Sequence, residues 1–133
     1  MSANLDLVRS IYADWELGDF SSTEWAHPDI DFVIVDGPER GTWSGLGQLA
    51  SGWSDFLSAW EDYRVEVDEY RCLGSDGVLV LLQHVGRGKV SGLESTSVRT
   101  EGANMVYSRD GKVSRIELYW DRDRALSDLG LEK

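Results

Sequence analysis

Between residues 46 and 68 the spacing of apolar side chains changes from helical to extended within a few positions. Leu46, Leu49, Trp53, Phe56 and Trp60 step by 3, 4, 3 and 4, the stripe that marks one face of a helix. From Tyr63 the period is two. Tyr63, Val65 and Val67 alternate with Arg64, Glu66 and Asp68, which predicts a strand with one wet face. No long helical stripe returns after this switch. Helical patterns gathered early and hairpin-linked strands gathered late point to an α+β class, since α/β chains alternate the two throughout.

The flanking segments fit that class. Leu5, Val8, Ile11/Tyr12 and Trp15 form a first helical face, with Gly18 where a C-cap glycine belongs. Ser21-Ser22-Thr23-Glu24 reads as a capping box for a short second helix ending near Ala26. Ile30 to Val35 reads as a strand stopped by Asp36-Gly37-Pro38, and Ser44 is placed to cap the helix that carries the Trp53 stripe. Ser75-Asp76-Gly77 turns the chain into Val78–Val85, which is apolar on both faces. Gly86-Arg87-Gly88-Lys89 breaks that strand. A long strand follows from about Thr96 to Ser108, then the hairpin signal Arg109-Asp110-Gly111, then Val113 to Trp120. On that last strand Ile116, Leu118 and Trp120 are expected inside, with Arg115 and Glu117 outside. Asp121 can cap a short final helix and Gly130 can end it. At 133 residues the chain suits one domain, residues 1–133.

Charge and cysteine content narrow the partners. The net charge of −11 argues against nucleic acid and anionic membrane, both of which need a cationic footprint. Cys72 is the one cysteine, so no internal disulfide and no Cys/His metal set is expected, and no cofactor motif is present. MSANLDLVRS does not read as a signal peptide. No apolar run approaches the roughly 20 residues that span a bilayer. A reducing cytoplasm is the expected location.

Several stretches carry a family likeness: the helix end WELGDF, the segment HPDIDF, the glycines of GRGKVSG after VLVLLQHV, and RDGKVSRIELYWDRDRALSDLGL. In these the chain resembles the nuclear transport factor 2-like superfamily, and within it the SnoaL-like (polyketide-cyclase-like) branch. The resemblance implies a cystatin-like α+β roll. Its cone-shaped, curved antiparallel or mixed sheet is closed by three helices from the N-terminal half and a short C-terminal helix, around an interior pocket. It also implies homodimers formed through the sheet. This fold hosts isomerases, cyclases, hydrolases and non-catalytic binders, so function has to be read from the site. Position by position, Leu118 stands where limonene epoxide hydrolases and SnoaL-type cyclases carry their Asp. Gln83 and Val85 stand where the hydrolases have an Arg and an Asp, and Phe32 and Ile34 where they orient water. Ile34 also matches the general base of ketosteroid isomerases, unless a slip of two residues brings Asp36 there.

The candidate site is therefore an apolar, aromatic-lined pocket for a small apolar or aromatic molecule. Its walls are expected to be Trp15, Phe32, Trp53, Phe56, Trp60, Leu118 and Trp120. Gln83 and Asn104, on positions the resemblance points inward, are its expected polar groups, because an amide both donates and accepts. Asp36 is the one carboxylate considered as a general base, although beside Gly37-Pro38 it reads first as a turn residue. His84 alternates with Gln83 and is expected on the opposite face, at an interface or the surface. His27 is expected exposed. Any reaction would be cofactor-independent proton transfer or cyclisation. The competing reading is a non-catalytic dimeric or ligand-sequestering module whose interior the tryptophans fill.

Overall fold

The computed structural model describes residues 3–20, 24–36, 40–58, 60–74, 77–88 and 96–131. Helix α1 is Ala3–Glu16, and its expected face, Val8, Ile11, Tyr12 and Trp15, is buried. Gly18 ends it with φ +79°, a backbone shape that costs glycine little. The proposed cap Ser21–Thr23 lies outside the described residues. Glu24 and Trp25 form a turn, and strand β1, Ala26–Ile34, begins at once, so no helix ends at Ala26. The described helices of the N-terminal half are two, α1 and α2, where three were expected. Strand β2, Gly41–Ser44, was not foreseen from the sequence. It is four residues of edge strand, too short for a period-two pattern to show.

Helix α2 is Gly45–Ser58. Its start is capped in reverse of the expected sense. The Gln48 side-chain oxygen accepts the Ser44 N–H at 2.9 Å, while the Ser44 hydroxyl donates to Asp31 at 2.7 Å. Leu49 is buried and Trp53 half-buried, but Leu46, counted in the stripe, is exposed. Strands β3 (Trp60–Leu73), β4 (Gly77–Gly88), β5 (Thr96–Arg109) and β6 (Lys112–Tyr119) follow. Between β5 and β6, Asp110 and Gly111 both have positive φ, 54° and 79°, the signature of a two-residue type I′ hairpin. Asp121 caps helix α3, Arg122–Asp128, accepting from the Asp123 and Arg124 N–H groups.

One six-stranded sheet runs in the order β2-β1-β6-β5-β4-β3. All neighbours are antiparallel except β1 and β6, which are parallel with Phe32 opposite Ile116. Bulges interrupt β3 between Glu61 and Arg64 and between Val67 and Glu69, where an extra residue bends a strand. The inner face of the curved sheet packs Val80, Leu82, Val106, Ile116 and Leu118 against α1 and α2. The outer face packs Leu79, Leu81, Ala103, Met105 and Tyr119 under Ala125 and Leu126 of α3. Burying each large apolar side chain contributes about 1.5–3 kcal/mol, so both layers hold the sheet. On that outer face Leu79 and Leu81 of β4 are buried in the same cluster as Ala125 and Leu126 of α3. Among the described residues no helix is long and apolar enough to cross a membrane.

Candidate functional site

Helix α1 brings Trp15 to the centre of the space between helices and sheet. Its ring centroid lies 5.6 Å from Trp25, 5.7 Å from Phe20 and 5.5 Å from Trp53. Trp53 in turn meets Phe32 edge-on at 5.2 Å. These are the separations at which aromatic pairs attract beyond simple burial. Trp15, Trp25, Phe32, Trp53, Leu49 and Ile116 line a cavity of about 20 Å³, room for about one water. Of the expected wall, Trp15, Phe32 and Trp53 surround this cavity. Leu118 is buried on the same inner face. Trp120 stands apart, its ring 4.1 Å from that of His84. The side chains of Phe56 and Trp60 lie outside the described residues.

Two polar pairs are sunk into this apolar interior. In the first, Asn104 Nδ2 donates to the Tyr12 hydroxyl at 2.8 Å. Asn104 is only 2% exposed, and its Oδ1 has no partner among the described residues. The second pair is Tyr63 and His84, 2.8 Å apart from hydroxyl to Nδ1. His84 Nε2 lies 3.2 Å from the Tyr119 carbonyl oxygen. A carbonyl only accepts, so Nε2 carries the proton and Nδ1 accepts from Tyr63. The imidazole crosses β5 to reach β6, and it can do so because Gly102 lies beneath it. A Cβ there would collide with the His84 ring and the Tyr119 carbonyl. Burial pushes the His84 pKa down to about 4, with the Tyr119 carbonyl opposing. Burial likewise raises the phenols of Tyr12 and Tyr63. All four groups are neutral at pH 7.

The structure reverses the expected facing of Gln83 and His84. Gln83 lies on the outer face, where its amide donates to Asp68 and accepts from Arg99 at 2.8 Å. Arg99 also pairs with Glu66, and the Arg122 guanidinium joins Asp68 to the carbonyls of Leu82 and Gly102. His84 is the inward residue, 1% exposed. Val78 to Leu82 are buried on both faces, so their alternation gave no phase. The Tyr63 hydroxyl was the missed signal, because a buried imidazole needs such a partner. Asp36 is no base in the cavity. It is 8% exposed, and its two oxygens accept the N–H groups of Trp120 at 2.6 Å and Asp121 at 3.2 Å. It fastens the end of β6 beside the end of β1. His27 is half-buried in β1, with Nδ1 accepting the Asp29 N–H.

No protein-family model matches the chain, and no curated protein matches it significantly. Solved structures do. A nuclear transport factor 2-like protein of unknown function from Burkholderia pseudomallei superposes with TM-score 0.77 at 18% identity, covering 96% of this chain and 97% of that one. TerC, co-crystallised with polyporic acid, gives TM-score 0.74 at 23% identity over 96% and 98% of the two chains. A protein with a ketosteroid isomerase-like fold from Catenulispora acidiphila, in complex with trimethylamine, gives 0.69 at 17% over 96% and 94%. At these identities the likeness establishes architecture and no activity. The chain has the nuclear transport factor 2-like α+β fold, with two neutral polar pairs set into an aromatic interior.

Proposed function

We propose that the chain binds a small, uncharged aromatic molecule between α1, α2 and the inner face of the sheet. The observation that carries this reading is the burial of Tyr12–Asn104 and Tyr63–His84 among aromatic rings, with an amide oxygen left over. An apolar core gains nothing from such groups, whereas a binding cavity uses a few of them to orient its ligand. TerC, which shares the fold, was co-crystallised with a small organic molecule, polyporic acid, and this supports small-molecule binding. Binding is favoured over turnover because the acid/base groups are engaged. Both His84 nitrogens and both Asp36 oxygens already hold protein hydrogen bonds.

The small cavity must widen to accept a ligand, and α2 is the element built to yield. It contributes Leu49, Ala50 and Trp53 to the cavity, yet it contains Gly45, Gly47 and Gly52. Each interior glycine weakens a helix by roughly 0.5–1 kcal/mol relative to alanine. Gly52 is required, since the Trp43 indole lies where its Cβ would be. At Gly47 a Cβ would meet nothing, so packing does not demand that glycine. Gly47→Ala is expected to stabilise the fold by about 0.5–1 kcal/mol and to slow ligand association in stopped-flow tryptophan fluorescence. An unchanged association rate in a stabilised variant would remove α2 from the access route.

The reading itself is tested by thermal unfolding against a panel of uncharged aromatic compounds. A ligand at about 100 times its dissociation constant adds roughly 2.7 kcal/mol, several degrees for a domain of this size. Trp53→Ala should abolish or alter the response of any hit. A panel without hits would favour the filled-core reading, in which the tryptophans are packing alone.

A further inference from the structure

Trp43 stands between solvent and a wall of the cavity. Strand β2 is an edge of the sheet and pairs with β1, where Trp43 lies opposite Phe32. The two rings are 6.0 Å apart, and Phe32 lines the cavity. Trp43 is half-buried while Phe32 is 2% exposed, so at this edge the cavity wall is one indole away from water. That indole lies in a slot made by two glycines. A Cβ at Gly52 of α2 would collide with its five-membered ring, and one at Gly41 of β2 would press on its six-membered ring. Neither glycine has a side chain that could interlock with the indole. The joint between β2 and α2 is Gly45, with φ +83°, a small residue of the kind that absorbs a change of backbone angle. Helix α1, by contrast, is tied to the sheet by the Tyr12–Asn104 bond and by the Glu16 carboxylate, which accepts the Val67 N–H at 3.2 Å.

Resting on the binding reading above, we propose that Trp43 is the gate of the cavity, and that an uncharged aromatic molecule enters between β2 and α2 when the indole swings out of the slot between Gly41 and Gly52. Opening gives up the contact with Phe32 and turns apolar ring surface to water. The closed position is therefore favoured with the cavity empty and with it filled. An incoming flat ring can take the place of the indole against Phe32 as it passes, which lowers the cost of entry for an aromatic molecule. Trp43 is not itself among the residues that line the cavity. A gate that is closed in both states sets how fast a ligand passes and not how tightly it is held, because it adds as much to the barrier for leaving as to the barrier for entering.

Stopped-flow tryptophan fluorescence for the rates and isothermal titration calorimetry for the affinity, both with 2-naphthol at pH 7, test this. Trp43→Ala empties the slot. Gly52→Ala fills it with a methyl group, which expels the indole without deleting it and removes no buried volume. Each variant is expected to raise the association and dissociation rates together by about tenfold, equivalent to about 1.4 kcal/mol off the barrier, with the dissociation constant within about twofold of wild type. In Trp43→Ala/Gly52→Ala the methyl has no indole to expel, so the rates should match those of Trp43→Ala. Rates within about twofold of wild type in both single variants overturn the proposal. So does a change confined to the dissociation rate, because Trp43 would then be a wall of the site. A rise in Trp43→Ala that Gly52→Ala does not share also overturns it, since the slot would not be what holds the indole, and unfolding of both variants would make the indole a prop of the fold and not a gate. Failure of 2-naphthol to bind the wild type sinks the binding reading, and the gate with it; a gate that fails alone shows in the rates while binding persists.

Discussion

Gly102→Ala is expected to destabilise the fold by about 3 kcal/mol, far more than a single methyl group usually costs on a strand. Strand glycines are ordinarily poor choices, and alanine should help. Here the Cβ would occupy the gap through which the His84 ring passes over β5, and it would strike the Tyr119 carbonyl. The ring cannot retreat without giving up its bond to that carbonyl and its bond to Tyr63. The carbonyl cannot retreat either, because Tyr119 is paired with Ala103 in the β5–β6 ladder. Urea unfolding of the single variants and of Gly102→Ala/His84→Ala checks the cause. With the ring removed, only the collision with the Tyr119 carbonyl remains, so the alanine should cost less, giving a coupling of about 1 kcal/mol. Additive effects, or a cost under about 0.5 kcal/mol for Gly102→Ala alone, would mean that His84 does not depend on the gap.

Stability should also fall steeply between pH 6.5 and pH 4 because of one imidazole. In the unfolded chain His84 titrates near its ordinary 6.5, while burial holds it to about 4 in the native state. Between those values the unfolded state binds a proton that the native state refuses. Stability rises with pH wherever the unfolded state binds more protons. The contribution is therefore intact above pH 6.5, is lost as pH falls towards 4, and changes no further below. The full loss is about 3 kcal/mol. Carboxylates such as Glu66, held low by its bonds to Arg99, lose stability in the same direction on the acid side. Relief of repulsion in a chain of net charge −11 works the other way. Comparing wild type with His84→Gln at pH 7 and pH 4.5 cancels both. The wild type should lose the larger part of its stability, and parallel losses in the two proteins would place the imidazole in water.

How far the site was legible follows from how each residue announces its direction. Helix α1 and helix α2 could be read because an amphipathic stripe has both a period and a phase. The β5–β6 turn could be read because two consecutive positive φ angles call for Asp-Gly or its like. Strand β4 announced its period but not its phase, since Val78 to Leu82 are buried on both faces. The placement by resemblance was one residue out of phase along β4, which itself pairs with β5 without a break. A one-residue slip sends every side chain to the other face, which is how Gln83 and His84 exchanged places. Asn104, placed inward by the same resemblance, does lie in the interior, bonded to Tyr12 of α1. The role of Asp36 was hidden for another reason: its partners, the Trp120 and Asp121 N–H groups, are 84 and 85 residues away. No local pattern reports a contact of that range.

That distance also bears on the order in which the protein can be made. Strand β1 leaves the ribosome early with only the four residues of β2 to pair with, and its other edge belongs to β6. Until the last strand emerges, Phe32 and Ile34 have no sheet neighbour on that side, and Asp36 has nothing to hold. Closing so long a loop is costly in chain entropy and slow. The nascent chain must therefore carry an open apolar edge through most of its synthesis, the period in which unpaired strands are exposed to aggregation. Insertion of β6 between β1 and β5 is what joins the two parts of the sheet.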